Sequence, residues 1–216
     1  MSYADVAGAA RAAHLDIFGA FHPRPDDGTP AGTQTLVLLG PYEPGFWAHV
    51  SGSAEFADGG PDPLDRWSER VIRGLAQEIG ARPLFPFGGP PYRPFIAWAL
   101  RSGRAWTSPA TLLVHDRAGL MVSYRGALAL RQRLKLPALP AKPCDTCAGR
   151  PCLTACPVSA LGPEGYDLNA CHGFLDTGPG RGCMDRGCAA RRACPISRDH
   201  GRLEPQSAFH MRAFHR

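Results

Sequence analysis

Apolar residues along the chain fall into a few runs whose spacing predicts helices and strands. In residues 3–13, Tyr3, Val6 and Ala10 share one helical face; Ser2 stands at the cap position and Asp5 follows three residues later, a capping-box spacing. Residues 15–21 put Leu15, Ile17, Gly19 and Phe21 on one side, the two-residue period of a strand. Pro and Gly then mark residues 22–32 as a loop. Thr35–Leu39 is apolar on both faces, which predicts a strand in the centre of a sheet. The clearest helix is 63–79, with Asp62 as N-cap, Pro63 in the first helical position and Gly80 just past the end. Leu64, Trp67, Val71, Ile72, Leu75 and Ile79 form its apolar stripe, while Asp65, Arg66, Glu69, Arg73 and Glu78 read as a solvated face.

A Pro/Gly-rich stretch from Arg82 to Pro94 leads into a short helix over 95–102. Strands are predicted over 111–115 and 120–130, joined as a hairpin by Asp116-Arg117-Ala118-Gly119. Pro137, Pro140 and Pro143 recur at every third residue and suggest an extended connector. The pattern predicts an α/β (α+β) sheet domain over residues 1–140 and a small second domain over 141–216.

Composition narrows the function classes. Charged residues make up 20% of the chain and hydrophobic ones 44%, a soluble globular balance. The net charge of +5 is spread along the chain, with nine Lys/Arg against seven Asp/Glu in residues 144–216 and fifteen against twelve before them. No strongly basic segment marks a nucleic-acid surface. The first fifteen residues lack the basic start and apolar run of a signal peptide, and no run approaches the ~18 apolar residues of a membrane span. A cytoplasmic protein is expected. The eight histidines form no catalytic series, although His200, His210 and His215 could cap the second domain, and no Gly-x-Gly-x-x-Gly or Walker run appears.

The chemistry lies in eight cysteines, all within the last third of the chain: Cys144, Cys147, Cys152, Cys156, Cys171, Cys183, Cys188 and Cys194. In a reducing compartment a dense set of this kind is expected to bind metal rather than form disulfides. Structural zinc also uses Cys-x2-Cys pairs, usually two per site, and here only Cys144/Cys147 has that spacing. The first four cysteines form Cys-x2-Cys-x4-Cys-x3-Cys-Pro, close to the bacterial signature for iron-sulfur clusters, and Cys194 is also followed by proline. Eight thiolates, four per cluster, predict two 4Fe-4S clusters and electron transfer with a redox partner protein. Chain crossing, in which the fourth cysteine of a run ligates the other cluster, assigns Cys144, Cys147, Cys152 and Cys194 to the first cluster. Cys156, Cys171, Cys183 and Cys188 then hold the second. The long x4 gap predicts that Ala148-Gly149-Arg150-Pro151 bulges outward. Arg181, Arg186, Arg191, Arg192 and Arg198 stand among the last cysteines. A positive charge roughly 8 Å from a cluster, at an effective dielectric of about 20, favours the reduced state by ~2 kcal/mol.

This cysteine series, preceded by an α/β domain, resembles epoxyqueuosine reductase and the reductive dehalogenases, which join a cobalamin-binding domain to a two-cluster ferredoxin module. The step from Cys156 to Cys171 and the closing Cys194-Pro195 reproduce that layout, with wider gaps between Cys183, Cys188 and Cys194. Upstream, Thr35–Leu39 resembles the family's early buried strand, and residues 99–106 (ALRSGRAW) resemble its Ala-x-x-Ala-Gly-x-Gly-Trp segment. Residues 113–119 (LVHDRAG), Tyr124-Arg125-Gly126, Asp62–Asp65 and Leu139–Pro143 are similar to the cobalamin-processing chaperone. The resemblance implies a nitroreductase-like fold in the first domain, a bacterial-ferredoxin-like second domain and the ligand partition given above. It also implies a corrinoid held base-off as the electron acceptor; the alternative is a two-cluster carrier with no corrinoid.

Two departures bear on the activity. Gly89 takes the place of an aspartate that donates a proton in epoxyqueuosine reductase, and the chain ends 22 residues after Cys194, without that family's helical-repeat tRNA domain. Epoxyqueuosine reduction is therefore not expected, and no catalytic residue is assigned. Trp106 and Tyr124 are aromatic candidates for lining a corrin pocket. Arg93, followed by Pro94, resembles an Arg-Pro pair that contacts glutathione in the chaperone.

Overall fold

The computed structural model describes residues 1–215. In chain order its elements begin with α1 (Tyr3–Ala12), β1 (Leu15–Phe21), β2 (Thr35–Pro41), α2 (Phe46–Ser51), α3 (Ala54–Ala57), α4 (Pro63–Ile79), β3 (Arg82–Leu84) and α5 (Phe95–Arg101). Then come β4 (Ala105–Thr107), β5 (Leu113–His115), β6 (Gly126–Leu130), β7 (Leu161–Gly162) and β8 (Gly165–Tyr166). The last helices are α6 (Leu168–Leu175), α7 (Arg181–Arg186), α8 (Ala189–Ala193), α9 (Pro195–Asp199) and α10 (Glu204–Phe214). The class is α+β with antiparallel sheets.

Two compact units emerge. The first comprises Met1–Ala105 and Ser123–Pro140; the second comprises Trp106–Val122 and the residues from Ala141 onward. One boundary at residue 140 coincides with that read from the prolines. Residues 106–122, expected in the first domain, cluster instead with the cysteine-bearing segment.

The first unit is built on a four-stranded antiparallel sheet in the order β1-β2-β6-β3. Every residue of β1 and β2 is buried, so β1, expected to be one-sided, is covered on both faces. β2 lies between β1 and β6, as its two apolar faces require. α1 starts with the full capping box: the Ser2 hydroxyl accepts from the Asp5 N–H at 3.2 Å, and the Asp5 carboxylate accepts from the Ser2 N–H at 2.7 Å. Hydrogen bonding from Ser2 to the Asp5 carboxyl, by the backbone N–H first and the side chain second, holds that carboxyl below its ordinary range. α4 covers the predicted span, with its apolar stripe buried through Leu64, Trp67, Ile72 and Leu75. Trp67 meets Phe46 edge-on at 5.4 Å, and the Trp98 indole N–H donates to the Asp27 carbonyl at 2.6 Å. Each such fully buried large side chain contributes roughly 3 kcal/mol through burial.

Four expectations change here. Asp62 occupies the cap of α4 in a left-handed conformation (φ 47°) and makes no side-chain capping bond. Asp65 is not simply solvated: its carboxylate receives a 3.1 Å bond from Arg125, whose side chain is only 11% exposed. β3 forms within the Pro/Gly-rich stretch, at the sheet edge, where Pro83 forfeits no interior ladder bond. The predicted hairpin does not extend beyond one antiparallel bridge between His115 and Gly119: β5 pairs with β4, whereas β6 joins the main sheet between β2 and β3.

Candidate metal centre

The second unit has a small core made of Ala110, Val114, Leu120, Cys152, Leu161, Ala190 and Cys194. Three of these seven come from the 106–122 segment, which explains why that segment leaves the first unit's sheet. Its backbone is also claimed locally. The Leu120 N–H donates to the Ser197 hydroxyl at 2.8 Å, the Leu120 carbonyl accepts from Arg191, and the Met121 carbonyl accepts from Arg202 at 2.9 Å. With those groups engaged, residues 120–121 cannot extend a strand into β6.

Gly119 turns the chain there with φ +55°; a Cβ at this position would lie 2.5 Å from the Ser197 nitrogen and 3.1 Å from the Cys194 sulfur. Only glycine fits. His115, fully buried, fixes the same turn. Its Nδ1 accepts the N–H groups of Arg117 and Ala118 at 3.2 and 3.1 Å, and its Nε2 faces the Asp116 carboxylate at 3.1 Å.

Most of the cysteines sit in or beside short turns and helices, three of which start with proline. Cys144 and Cys152 sit in 3-10 turns at Pro143–Asp145 and Pro151–Leu153, Cys171 in α6 and Cys183 in α7. Cys188 caps α8, and Cys194 lies between α8 and α9. Between the first two turns, Ala148, Gly149 and Arg150 are exposed, with Arg150 left-handed at φ 39°, so the long gap is taken up by an outward loop.

All eight cysteines are free thiols, and the sulfurs that act on Cys144 are different from those that act on Cys171. Burial raises the Cys144 thiol above its ordinary range, Lys142 opposes the shift, and Cys152, Cys194 and Cys147 add to it. Burial likewise raises Cys171; the Tyr166 hydroxyl bond opposes this, while Cys188, Cys156 and Cys183 reinforce it. Cys152 is raised by burial and by its neighbours Cys194 and Cys147. The neighbours of Cys144 are thus Cys147, Cys152 and Cys194, and those of Cys171 are Cys156, Cys183 and Cys188. Clustered thiols that resist ionisation alone become good ligands when a cation compensates their charge.

The first quartet lines one cavity of about 190 Å³, walled by Val114, Leu120, Pro143 and Ile196. A single water needs only ~15 Å³ on this measure. Among the described residues, no three His, Cys, Asp or Glu side chains converge closely enough to hold a single metal ion. A tetrahedral zinc site would bring its sulfurs to roughly 3.8 Å from one another. Four cysteines around a cavity of this size leave room for a group larger than a single ion.

In the second quartet, Cys156 accepts the Ala160 N–H at 3.3 Å and Cys171 accepts the Tyr166 hydroxyl at 3.2 Å. Of the five arginines near the last cysteines, Arg191 and Arg192 are spent on the carbonyls of Leu120 and Gly187. Arg186 pairs with Glu204 in the open, and Arg181 and Arg198 are exposed. His215 reaches α6 and its C-terminal end, its Nε2 lying 2.8 Å from Asp176 and its Nδ1 2.6 Å from that of His172.

Searches against family models, curated proteins and solved structures return no match.

The residues named for a corrinoid are distributed between the units. Trp106 packs on the second unit's core. Tyr124 belongs to the first, edge-on to Phe18 at 6.3 Å and tilted against Phe95 at 6.5 Å, and Arg93 is exposed in the loop before α5. None of the three lines the cysteine cavity or the first unit's open cleft beside Phe21 and Arg133. Sequence reasoning missed Tyr166, Ser197, His115 and Gly119. Gly119 carried a turn signal, whereas the roles of the other three depend on partners that no local pattern reveals.

Proposed function

We propose that this protein is an iron-sulfur redox protein in which the two cysteine quartets hold two 4Fe-4S clusters. The observation that carries the reading is the single cavity lined by Cys144, Cys147, Cys152 and Cys194, which is the set that the crossed ligand order of two-cluster ferredoxins brings together. Such clusters supply one-electron chemistry: one electron enters from a donor protein and one leaves to an acceptor. The chain's own part is to supply eight thiolates, to shield the first site with Val114, Leu120 and Ile196, and to fix the ligands through the Gly119 and β7–β8 turns. No helix among the described residues is long and apolar enough to cross a membrane, which suits a partner in solution, and the proposed compartment is the cytoplasm.

The acceptor proposed from the resemblance is a corrinoid held by the nitroreductase-like first unit, making the protein a cobalamin-dependent oxidoreductase or a cobalamin-reducing factor. The alternative is a two-cluster carrier with no corrinoid. Anaerobic reconstitution tests the cluster reading: about eight iron and eight sulfide per chain are expected, and two zinc with no sulfide would overturn it. Adding cob(II)alamin to the reduced protein separates the acceptors, because an unchanged cobalt spectrum removes the corrinoid.

A further inference from the structure

We infer that the Tyr166 hydroxyl is a potential-setting donor to the second quartet, raising the reduction potential of the cluster held there; this rests on the cluster reading. Tyr166 lies at the end of β8, paired across the ribbon with Leu161, which is 4% exposed. Its ring packs on the core of the second unit and stacks on Phe214 at 6.2 Å and 11°. Phe214 is in turn braced by His172 at 4.7 Å. So held, the hydroxyl donates to the Cys171 sulfur at 3.2 Å. The bond runs from the phenol oxygen to the sulfur, and a deprotonated, metal-bound thiolate can only accept it.

Hydrogen bonds to ligand sulfurs are among the levers that set cluster potentials. A donor stabilises the added negative charge of the reduced form more than it stabilises the oxidised form, so it raises the potential. The other donor to this quartet's sulfurs, the Ala160 N–H, is a backbone group on the same ribbon. Tyr166 is therefore the one that a side-chain change removes, and phenylalanine preserves the stack on Phe214.

The test uses the full reconstituted chain and its Tyr166→Phe variant, with each cluster's signal followed by electron paramagnetic resonance during a potentiometric titration. A Cys194→Ala background, which retains only the second quartet intact, identifies the signal. The expected result is full iron content and a three- to tenfold fall in the reduced-to-oxidised ratio of the second cluster at fixed potential. For one electron this is a downward shift of roughly 30–60 mV, with the first cluster unmoved. Unchanged potentials at full iron content, or equal shifts in both clusters, would overturn the inference alone. Wild-type protein that takes up no iron and sulfide would overturn the cluster reading as well.

Discussion

Replacing Gly119 with alanine tests whether residues 106–122 are part of the cysteine module. The new Cβ would sit 2.5 Å from the Ser197 nitrogen and 2.6 Å from its hydroxyl, closer than non-bonded atoms approach, and the first contact is backbone that cannot swing away. The left-handed conformation adds roughly 1–2 kcal/mol for any residue with a Cβ. Forcing the neighbouring segment aside adds about 1–3 kcal/mol, including damage to the Leu120–Ser197 bond. The sum, roughly 2–5 kcal/mol, is a large part of the 5–15 kcal/mol that typically holds a domain together. For a unit of this size, the midpoint of its thermal transition should fall by at least ~8 °C. Because Cys194 is the third atom in the clash, at 3.1 Å, the loss should fall on the first quartet, and reconstituted iron should drop from about eight toward four per chain. Gly149→Ala, in the outward loop with nothing within 4 Å of its would-be Cβ, is the control and should change neither reading. A Gly119→Ala protein that melts with the wild type and binds as much iron would refute the reasoning.

Two ion pairs of the first unit give further predictions. Arg70 grips Glu55 with two bonds, at 2.5 and 3.1 Å, and this holds the Glu55 carboxyl down at about 2. Since the folded value is depressed from 4.5, the stabilisation is complete above pH 4.5 and is lost as the pH falls toward 2. Arg70 is 60% exposed, so screening limits the effect to about 1 kcal/mol. Glu55→Gln should flatten the stability profile in that window by this amount, and an unaltered acid limb in urea unfolding would count against the pair. Asp65→Asn leaves Arg125 buried without its counter-charge and should cost about 2–3 kcal/mol, a range lowered because Asp65 is 35% exposed. Adding Arg125→Met should recover most of the loss; if the double variant is no more stable than the single one, the pair is not the cause.

Local pattern carried much of the fold and half of the site. The capping box at Ser2–Asp5 and the stripe of α4 were legible because both depend on residues within one or two turns of each other. β1 and β2 were legible as strands, although the burial of both faces of β1 depends on elements far along the chain. α2 was not, since Gly45 begins it without a side-chain cap. The missing hairpin has a specific physical cause. Leu120 and Met121 are apolar and read as strand, yet their backbone groups are taken by Ser197, Arg191 and Arg202, more than seventy residues later. In the site, cysteine order alone suggested the proposed quartets, because the order of ligands along a chain is a one-dimensional signal. The donors and braces around them, Tyr166, Ser197 and His115, act through tertiary contacts and leave no spacing to read.

The most direct test of the two-quartet account is the iron content of paired cysteine variants after anaerobic reconstitution. Cys144→Ala with Cys194→Ala removes two ligands from one quartet, so about four iron per chain should remain, as in either single variant. Cys194→Ala with Cys183→Ala removes one ligand from each quartet and should leave essentially none. If the first pair abolishes iron binding, or the second retains a full cluster, the assignment of Cys194 to the quartet of Cys144 is wrong and the account fails with it.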